Sequence, residues 1–384
     1  MTAVTSITAA RRAARTRSAQ SATTTRLSVF MLVPVALLII IGLGALLSAS
    51  SVLALREADD SLFYFRRQLM GVGLGIAVFG VFIRIPYRMY AKAAMPMFVA
   101  GIGALVAVAM FGVVRGGARR WIEVGPITLQ PSEFVKFAVI VFLAMMLSKR
   151  EHSWAKVGQF LGPLALSLGS VGLLVMLQPD LGTLMLIGAV AFTMLAASAV
   201  PLHWILGAAT MSAGLGIALA ALEPYRWRRI TAFLDPFADE LNSGFQTVQS
   251  LVALGSGGMF GVGLGLSRAR WSFLPNAHTD FIFSIVGEET GFAGGLVVIG
   301  LFAVFTVAGV LVAMRAKDRF GRLLAIGLVS WLSLQAIINI GGATAVLPIT
   351  GIPLPFMSFG SSALIANLAA VAVLVNIAVS SRSR

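Results

Sequence analysis

Apolar residues fill this chain in long runs, and short stretches of Ser, Gly, Pro and charged residues separate the runs. Most runs approach the roughly 20 residues that an α-helix needs to cross a bilayer. Only helices and closed barrels satisfy their backbone groups in lipid, so the pattern predicts an all-α polytopic membrane protein. The predicted fold has ten transmembrane helices, at residues 28–50, 68–85, 93–114, 132–148, 158–177, 181–200, 204–222, 281–314, 323–342 and 359–380.

The eighth predicted span is too long for one simple crossing. Its first turns are therefore expected at the outer interface or in a cavity lined by protein. The only long loop between spans is extracytoplasmic, lies between spans seven and eight, and covers residues 223–280. Within that loop, the glycine-rich and moderately apolar stretch 244–266 predicts an interfacial or re-entrant helix. The predicted organisation is a disordered cytoplasmic tail (1–27), one membrane domain (28–380) and a short cytoplasmic tail (381–384).

Basic residues predict the orientation in the membrane. With both termini in the cytoplasm, 17 Lys and Arg residues fall on the cytoplasmic side and 11 on the outer side. This majority obeys the positive-inside rule. Eight of the outer eleven are arginines in two loops, 115–131 and 223–280. We interpret them as a binding surface for an external anion, although long loops can also escape the rule.

Composition narrows the class of protein further. Only 11% of residues are charged, against about 25% in soluble domains. The chain has no cysteine and three scattered histidines, which excludes disulfides and thiolate metal sites and disfavours a zinc site. The net charge of +14 indicates an anionic partner, either membrane lipids or a substrate. Nucleic acid is the weaker interpretation because the basic residues are dispersed among the spans.

The strongest candidate for chemistry is Asp280, at the end of a polar segment that leads into the eighth span. Carboxylates at a membrane boundary are costly and usually functional, so we interpret Asp280 as a catalytic group. The alternative is an ordinary N-cap of the following helix. Glu288 and Glu289 lie roughly 12–13 Å further along a helix, and we expect them to pair with basic groups or to shape the cavity.

Two further polar motifs have open interpretations. Glu133 and Lys136 share one face at the start of the fourth span, either as a structural ion pair or as part of a substrate site. Asp180 either caps the sixth span or belongs to a polar wall of the same cavity.

Glycine and proline patterns predict where helices pack closely and where the backbone is not helical. Gly71-x-Gly73-x-Gly75 is typical of close helix packing. Gly261-x-Gly263-x-Gly265 could instead bring bare backbone close to a phosphate. The prolines and glycines of residues 348–360 exclude a regular helix there, so this segment is expected to line the outer cavity.

Four blocks in chain order resemble the SEDS family (shape, elongation, division and sporulation) of membrane peptidoglycan glycosyltransferases. They are GARRWI followed by QPSEFVK, then QPDLGT, PNAHTDFIFSIVGEE and PITGIPLPFMSFGSS. The resemblance implies polymerisation of lipid II, an undecaprenyl-pyrophosphate-linked disaccharide-pentapeptide, at the outer face of the bacterial plasma membrane. It also implies a class B penicillin-binding transpeptidase and division proteins as partners. The expected substrate-binding residues around catalytic Asp280 are Arg120, Trp121, Glu133, Lys136, Asp180, His278, Thr279 and Ser358.

The expected mechanism makes Asp280 the general base. Arg120, Lys136 and one of Arg228 and Arg229 are expected to stabilise the departing pyrophosphate. The sequence shows no complete metal cage, although Mg²⁺ or Mn²⁺ bridging Asp280 and phosphate is compatible with it. The block around Asn276 favours an FtsW-like division enzyme over a RodA-like elongation enzyme. A lipid II translocase and a non-enzymatic division scaffold are the alternatives from other functional classes.

Overall fold

The computed structural model describes residues 2–115, 118–124, 127–149, 157–198, 200–221, 233–242, 244–271 and 274–380. The helices are α1 (Thr2–Ala58), α2 (Phe63–Phe82), α3 (Tyr87–Phe111), α4 (Pro131–Ser148), α5 (Val157–Leu177), α6 (Leu181–Ala197), α7 (Leu202–Ala221), α8 (Phe245–Ser256), α9 (Ile282–Met314), α10 (Arg319–Ala343) and α11 (Ser361–Ser380). Three short strands, β1 (Val113–Arg115), β2 (Ala118–Val124) and β3 (Ile127–Leu129), lie between α3 and α4.

Seven helices in the described part of the chain are long and apolar enough to cross a membrane, and the polytopic helical fold predicted from the sequence is confirmed. They coincide with predicted spans one to four and eight to ten. Three shorter apolar helices, Gly162–Leu177, Leu181–Ala197 and Leu202–Met211, fall within predicted spans five to seven. The count of ten crossings therefore stays a prediction.

The centre of the bundle is formed by α4 and α11, whose residues are almost all buried, together with most of α10. Helices α2 and α3 lie outside them and expose many large apolar side chains, as a lipid-facing surface requires. Glycines allow the close approach of α2 to α11. A Cβ at Gly71 would lie 2.7 Å from Ser361 Oγ, and one at Gly75 would lie 2.6 Å from Leu368 Cδ1. The interpretation of this motif as helix packing is confirmed.

The structure differs from the prediction at the amino-terminal end, because α1 already begins at Thr2. The sequence predicts a disordered tail for residues 1–27 from its Ser, Thr and Arg content. The same segment also contains many Ala and Arg residues, which are among the strongest helix formers.

The sheet between α3 and α4 was not predicted. Its three strands are antiparallel in the order β1-β2-β3, and Val113 pairs with Trp121 while Ile122 pairs with Leu129. We interpreted residues 115–131 only as a loop. The available signal was a Gly-Gly pair between runs of β-branched and aromatic residues, which is typical of a hairpin.

Helix α9 is broken at Gly291, whose backbone has φ +71° and ψ −168°. The short first part, residues 282–289, is buried throughout, and the longer second part continues to Met314. The eighth predicted span is therefore not one continuous helix, and the place of its first turns relative to the membrane stays a prediction. The break leaves backbone groups without helical partners, and a neighbouring segment must supply them.

The glycine-rich segment after α8 supplies those partners. The amides of Val262 and Gly263 donate to the carbonyls of Glu288 and Glu289, and the Phe292 amide donates to the Gly258 carbonyl. A Cβ at position 261 would lie only 2.0 Å from the Glu289 carbonyl oxygen. The glycines therefore permit close packing against the helix break, and an approach to phosphate is not needed to explain them.

The two buried glutamates accept hydrogen bonds from hydroxyl and amide groups. Glu288 accepts from the Ser267 hydroxyl and from the amides of Arg268 (2.9 Å) and Ala269 (3.3 Å). Glu289 accepts from the Ser48 hydroxyl on α1. The expectation that they pair with basic side chains is wrong for these described contacts. These bonds connect the broken helix to α1 and to the segment 267–269.

Candidate active site

Asp280 ends a compact turn directly before α9. Its amide donates to the Asn276 carbonyl over 3.0 Å, and Asn276 has a positive φ of 56°, which asparagine tolerates better than most residues. The N-cap position of α9 belongs to Phe281, which makes no side-chain cap bond. Asp280 therefore precedes the N-cap position, and its side chain is half-buried.

Asp280 lies in a small cleft between the end of α10 and the irregular segment 349–352. Asn339 on α10 spans this cleft, because its Nδ2 donates both to the Asp280 carbonyl (2.7 Å) and to the Ile352 carbonyl (2.9 Å). Gly351 has φ +75°, and a Cβ there would lie 3.7 Å from Asp280 Oδ2. The carboxylate thus lies beside the bare backbone of Gly351.

The segment 354–360 packs against the same turn. The Ser358 hydroxyl donates to the Thr279 carbonyl, and the Phe359 amide donates to the His278 carbonyl over 3.0 Å. Gln68 on α2 holds this segment through bonds of 3.1 Å to the Ser358 carbonyl and the Gly360 amide. Residues 348–360 contain no regular helix, as predicted, and residues 354–358 are buried. Three expected site residues, His278, Thr279 and Ser358, are therefore neighbours of Asp280.

Lys136 and Glu133 form an ion pair deeper in the bundle. Lys136 Nζ lies 2.9 Å from both carboxylate oxygens of Glu133, and each side chain is only 2% exposed. The ammonium also donates to Gln335 Oε1 over 3.1 Å and lies over the Trp331 ring. These contacts give the charge the partners that burial in lipid demands.

Gln335 connects that ion pair to the cleft. Its Nε2 donates to the Pro353 carbonyl over 2.8 Å, next to the Ile352 carbonyl that Asn339 holds. Gln335 and Asn339 are one helical turn apart on α10 and so share a face. A polar ladder therefore runs from Lys136 to Asp280. Neither amide is assigned to the site from the sequence. The sequence does contain a signal for them. Two amide side chains lie one helical turn apart in an apolar helix, and buried polar groups of this kind need hydrogen-bond partners.

Arg120 on β2 binds the turn before α6. Its Nε donates to the Gln178 carbonyl over 3.0 Å, and its Nη2 donates to the Pro179 carbonyl. A Cβ at Gly182, just after this turn, would lie 2.7 Å from the Thr350 carbonyl oxygen. Arg120 thus supports a turn that packs on the wall of the Asp280 cleft. Its binding of pyrophosphate stays a prediction.

Asp180 is the N-cap of α6. Its Oδ1 accepts from the Thr183 amide (3.1 Å) and its Oδ2 from the Thr183 hydroxyl (2.9 Å). This is the capping arrangement that we considered as the alternative to a cavity wall. A capping carboxylate satisfies one of the free amides of the first turn.

Asp180→Ala is expected to lower the free energy of unfolding by about 1 kcal/mol, because the cap is lost. Asp180→Asn is expected to retain the stability of the unaltered protein, because asparagine caps helices as well as aspartate does. Thermal unfolding in detergent measures both. An asparagine variant that is stable but inactive would show that the carboxylate charge serves the substrate instead.

The remaining predicted residues are not joined to the cleft by the described contacts. Trp121 follows Arg120 in β2, so its side chain leaves the opposite face of the strand. Arg228 and Arg229 lie outside the described residues. In the described part of the chain, no three His, Cys, Asp or Glu side chains lie together as metal ligands. A requirement for Mg²⁺ or Mn²⁺ stays a prediction.

A family model described as a cell cycle protein, of the FtsW, RodA and SpoVE type, matches residues 28–383. The chain belongs to this family. The resemblance to SEDS proteins is confirmed. Two of the four blocks that carried it line the Asp280 cleft, and QPDLGT packs on its wall through Gly182. The hairpin between α3 and α4 joins them too, since Ser362 accepts from the Gln130 amide and donates to the Thr128 carbonyl.

Relatives of the FtsW, RodA and SpoVE family match nearly the whole chain. The stage V sporulation protein E of Bacillus subtilis is 41% identical over 351 residues, which covers 90% of this chain and 95% of that protein. A probable peptidoglycan glycosyltransferase FtsW of a Geobacter species is 39% identical over 341 residues, or 88% of this chain and 92% of that protein.

Solved structures share the fold of this family member. A chain from a peptidoglycan synthase complex, described as coordinating polymerization and crosslinking, has a TM-score of 0.76 and 27% identity over 91% of this chain and 97% of its own. The rod shape determining protein RodA of Thermus thermophilus has a TM-score of 0.69 and 26% identity, covering 92% of this chain and 97% of that chain.

Proposed function

We propose that this protein is a peptidoglycan glycosyltransferase that polymerises lipid II at the outer face of the bacterial plasma membrane. The observation that carries the proposal is the position of Asp280. Its carboxylate lies beside the bare backbone of Gly351 in a cleft lined by residues of two of the blocks shared with the family, PNAHTDFIFSIVGEE and PITGIPLPFMSFGSS. The relatives named as peptidoglycan glycosyltransferases support the same reaction.

In the proposed reaction Asp280 takes the proton from the 4-hydroxyl of the acceptor sugar. The hydroxyl oxygen forms a bond to the anomeric carbon of the donor, and the bond from that carbon to the pyrophosphate oxygen breaks. Undecaprenyl pyrophosphate leaves with the electron pair. Attack from the face opposite the leaving group inverts the anomeric centre. Cationic groups on the outer side stabilise the negative charge of the leaving group.

The test is polymerisation of lipid II by the purified protein in detergent. We expect glycan strands, visible after electrophoresis, and a higher yield when a class B penicillin-binding transpeptidase is present. Reconstituted vesicles that contain fluorescent lipid II distinguish the proposed polymerase from a lipid II translocase. Flipping of lipid II without any polymer, with or without the transpeptidase, would contradict the proposal.

The proposal requires Asp280 to face outward, and the absence of native cysteine makes this easy to check. Leu241→Cys, in the predicted outer loop, should react with a membrane-impermeant maleimide in intact spheroplasts. Arg315→Cys, between α9 and α10, should react only after lysis and serves as the matched control. Both positions are exposed. A Leu241→Cys variant protected until lysis would place the cleft on the cytoplasmic side and contradict the proposed function.

We propose the division branch, with both termini in the cytoplasm and division proteins as further partners. Similarity to proteins named FtsW supports this choice, and similarity to RodA keeps elongation as the alternative. A functional fluorescent fusion is expected at midcell during septation. A fusion distributed along the lateral wall throughout growth would favour the elongation branch.

A further inference from the structure

Three aromatic rings meet beside Asp280, and each comes from a different element. The ring centroids of Tyr64 and His278 are 5.1 Å apart, those of Tyr64 and Phe359 are 5.1 Å apart, and those of His278 and Phe359 are 5.9 Å apart. All three side chains are half-buried, so the group presents some ring surface. We call these residues the aromatic triad.

The aromatic triad is held in place by hydrogen bonds around it. Gln68, one helical turn after Tyr64, bonds the backbone on both sides of Phe359. The Phe359 amide bonds the His278 carbonyl over 3.0 Å. The rings are therefore positioned before any ligand arrives, which lowers the entropic cost of binding.

The surroundings of the triad are polar rather than lipid-like. The Tyr64 hydroxyl donates to the exposed Glu57 carboxylate. Arg66 pairs with Asp60 over 3.2 Å, and the Arg67 guanidinium lies over the Phe63 ring. Charged side chains are rare on surfaces buried in hydrocarbon. An aromatic cluster with such a rim is better suited to an aqueous ligand than to acyl chains.

We propose that the aromatic triad is a stacking platform for a pyranose ring of the acceptor saccharide. This inference rests on the proposed function and names the binding subsite that presents the acceptor to Asp280. A pyranose ring has an apolar C–H face that packs on aromatic rings. Its hydroxyls lie at the edge, where the Tyr64 hydroxyl and Glu57 provide the few polar partners that such sites use.

The aromatic triad is close to Asp280 along the chain. His278 and Asp280 are separated by one residue, so their Cα atoms lie within about 7.6 Å of each other. Burial lowers the pKa of His278 below its ordinary value, and the charge of Glu57 opposes this only in part. The imidazole is therefore neutral at pH 7 and can contribute its face to stacking without a charge to hydrate.

The experiment compares steady-state polymerisation of lipid II by ring-removing and ring-keeping variants. Tyr64→Leu and Phe359→Leu are each expected to raise the apparent KM for lipid II about tenfold, the upper range for an aromatic contact, while kcat changes less than about threefold. Tyr64→Phe keeps the ring but loses the hydroxyl, so its apparent KM should rise less than that of Tyr64→Leu. Phe292→Leu removes an exposed aromatic side chain of α9 outside the triad and is the matched control.

A second set of measurements uses only the unaltered protein and so does not depend on the fold of the variants. A soluble tetrasaccharide of two disaccharide repeats, without lipid or pyrophosphate, should bind the unaltered protein in saturation-transfer NMR and inhibit polymerisation competitively. Absence of tetrasaccharide binding, or unchanged KM in well-folded leucine variants of an active enzyme, would overturn the platform. Failure of the unaltered protein to polymerise lipid II would instead overturn the proposed function, and bound tetrasaccharide would still support the platform.

Discussion

Asp280→Asn is expected to polymerise lipid II about 100-fold to 10,000-fold more slowly than the unaltered protein, the usual contribution of a general base. The asparagine side chain has the same shape but cannot accept the hydroxyl proton. The backbone bonds that hold this position, from Asn339 and to Asn276, do not involve the carboxylate. Asparagine keeps these backbone bonds and the size of the side chain, and the loss should fall on kcat rather than on the apparent KM for lipid II.

The matched control is Asp239→Asn, which makes the same chemical change at an exposed position of the predicted outer loop. It should polymerise lipid II at the rate of the unaltered protein. Initial rates of lipid II consumption and melting temperatures in detergent would be measured side by side. If Asp280→Asn is well folded and polymerises within about threefold of the unaltered protein, far below the range for a general base, Asp280 takes no part in the chemistry.

The membrane fold could be predicted because lipid imposes a simple rule on sequence. Every helix that crosses the bilayer must be apolar over a length near 20 residues, and the predicted spans coincide with the apolar helices. The break in α9 was also foreseeable, because 33 residues exceed one crossing. The proline content of residues 348–360 similarly excluded a helix in advance.

The sheet and the start of α1 escaped prediction for a different reason. Strands of three to seven residues are too short to show a clear alternation. The amino-terminal segment has a composition that suits disorder and helix alike. A sequence pattern predicts the secondary structure of a segment only when its apolar residues recur periodically over many positions.

Partners of buried polar groups are the least predictable part of the site. Glu288 and Glu289 could have paired with any of several cations in the sequence, yet the described contacts are with hydroxyl and amide groups. Asn339 connects Asp280 to Ile352 across 59 and 13 residues of sequence. Contacts of this kind depend on how the helices pack. They cannot be predicted from the spacing of residues that are near each other in the sequence.

Lys136→Met is expected to destabilise the protein by about 3–5 kcal/mol, because it leaves the Glu133 carboxylate buried without its partner. Both side chains are 2% exposed, so water cannot replace the lost ammonium. Thermal unfolding in detergent should show a large drop in melting temperature. Glu133→Gln combined with Lys136→Met removes both charges and should recover most of the stability, as replacement of buried ion pairs by neutral groups often does.

Polymerisation by this double variant then separates folding from catalysis. Gln335 loses the ammonium that binds its Oε1 while its Nε2 still holds the Pro353 carbonyl beside the cleft. The Lys136 ammonium, which the proposed reaction uses to stabilise the pyrophosphate, is lost as well. We therefore expect a stable protein that polymerises lipid II at least about tenfold more slowly, as loss of one charged contact worth 1.4 kcal/mol or more would produce. A double variant with both full stability and full activity would show that the ion pair serves only folding, and that stabilisation of the leaving pyrophosphate must come from other residues.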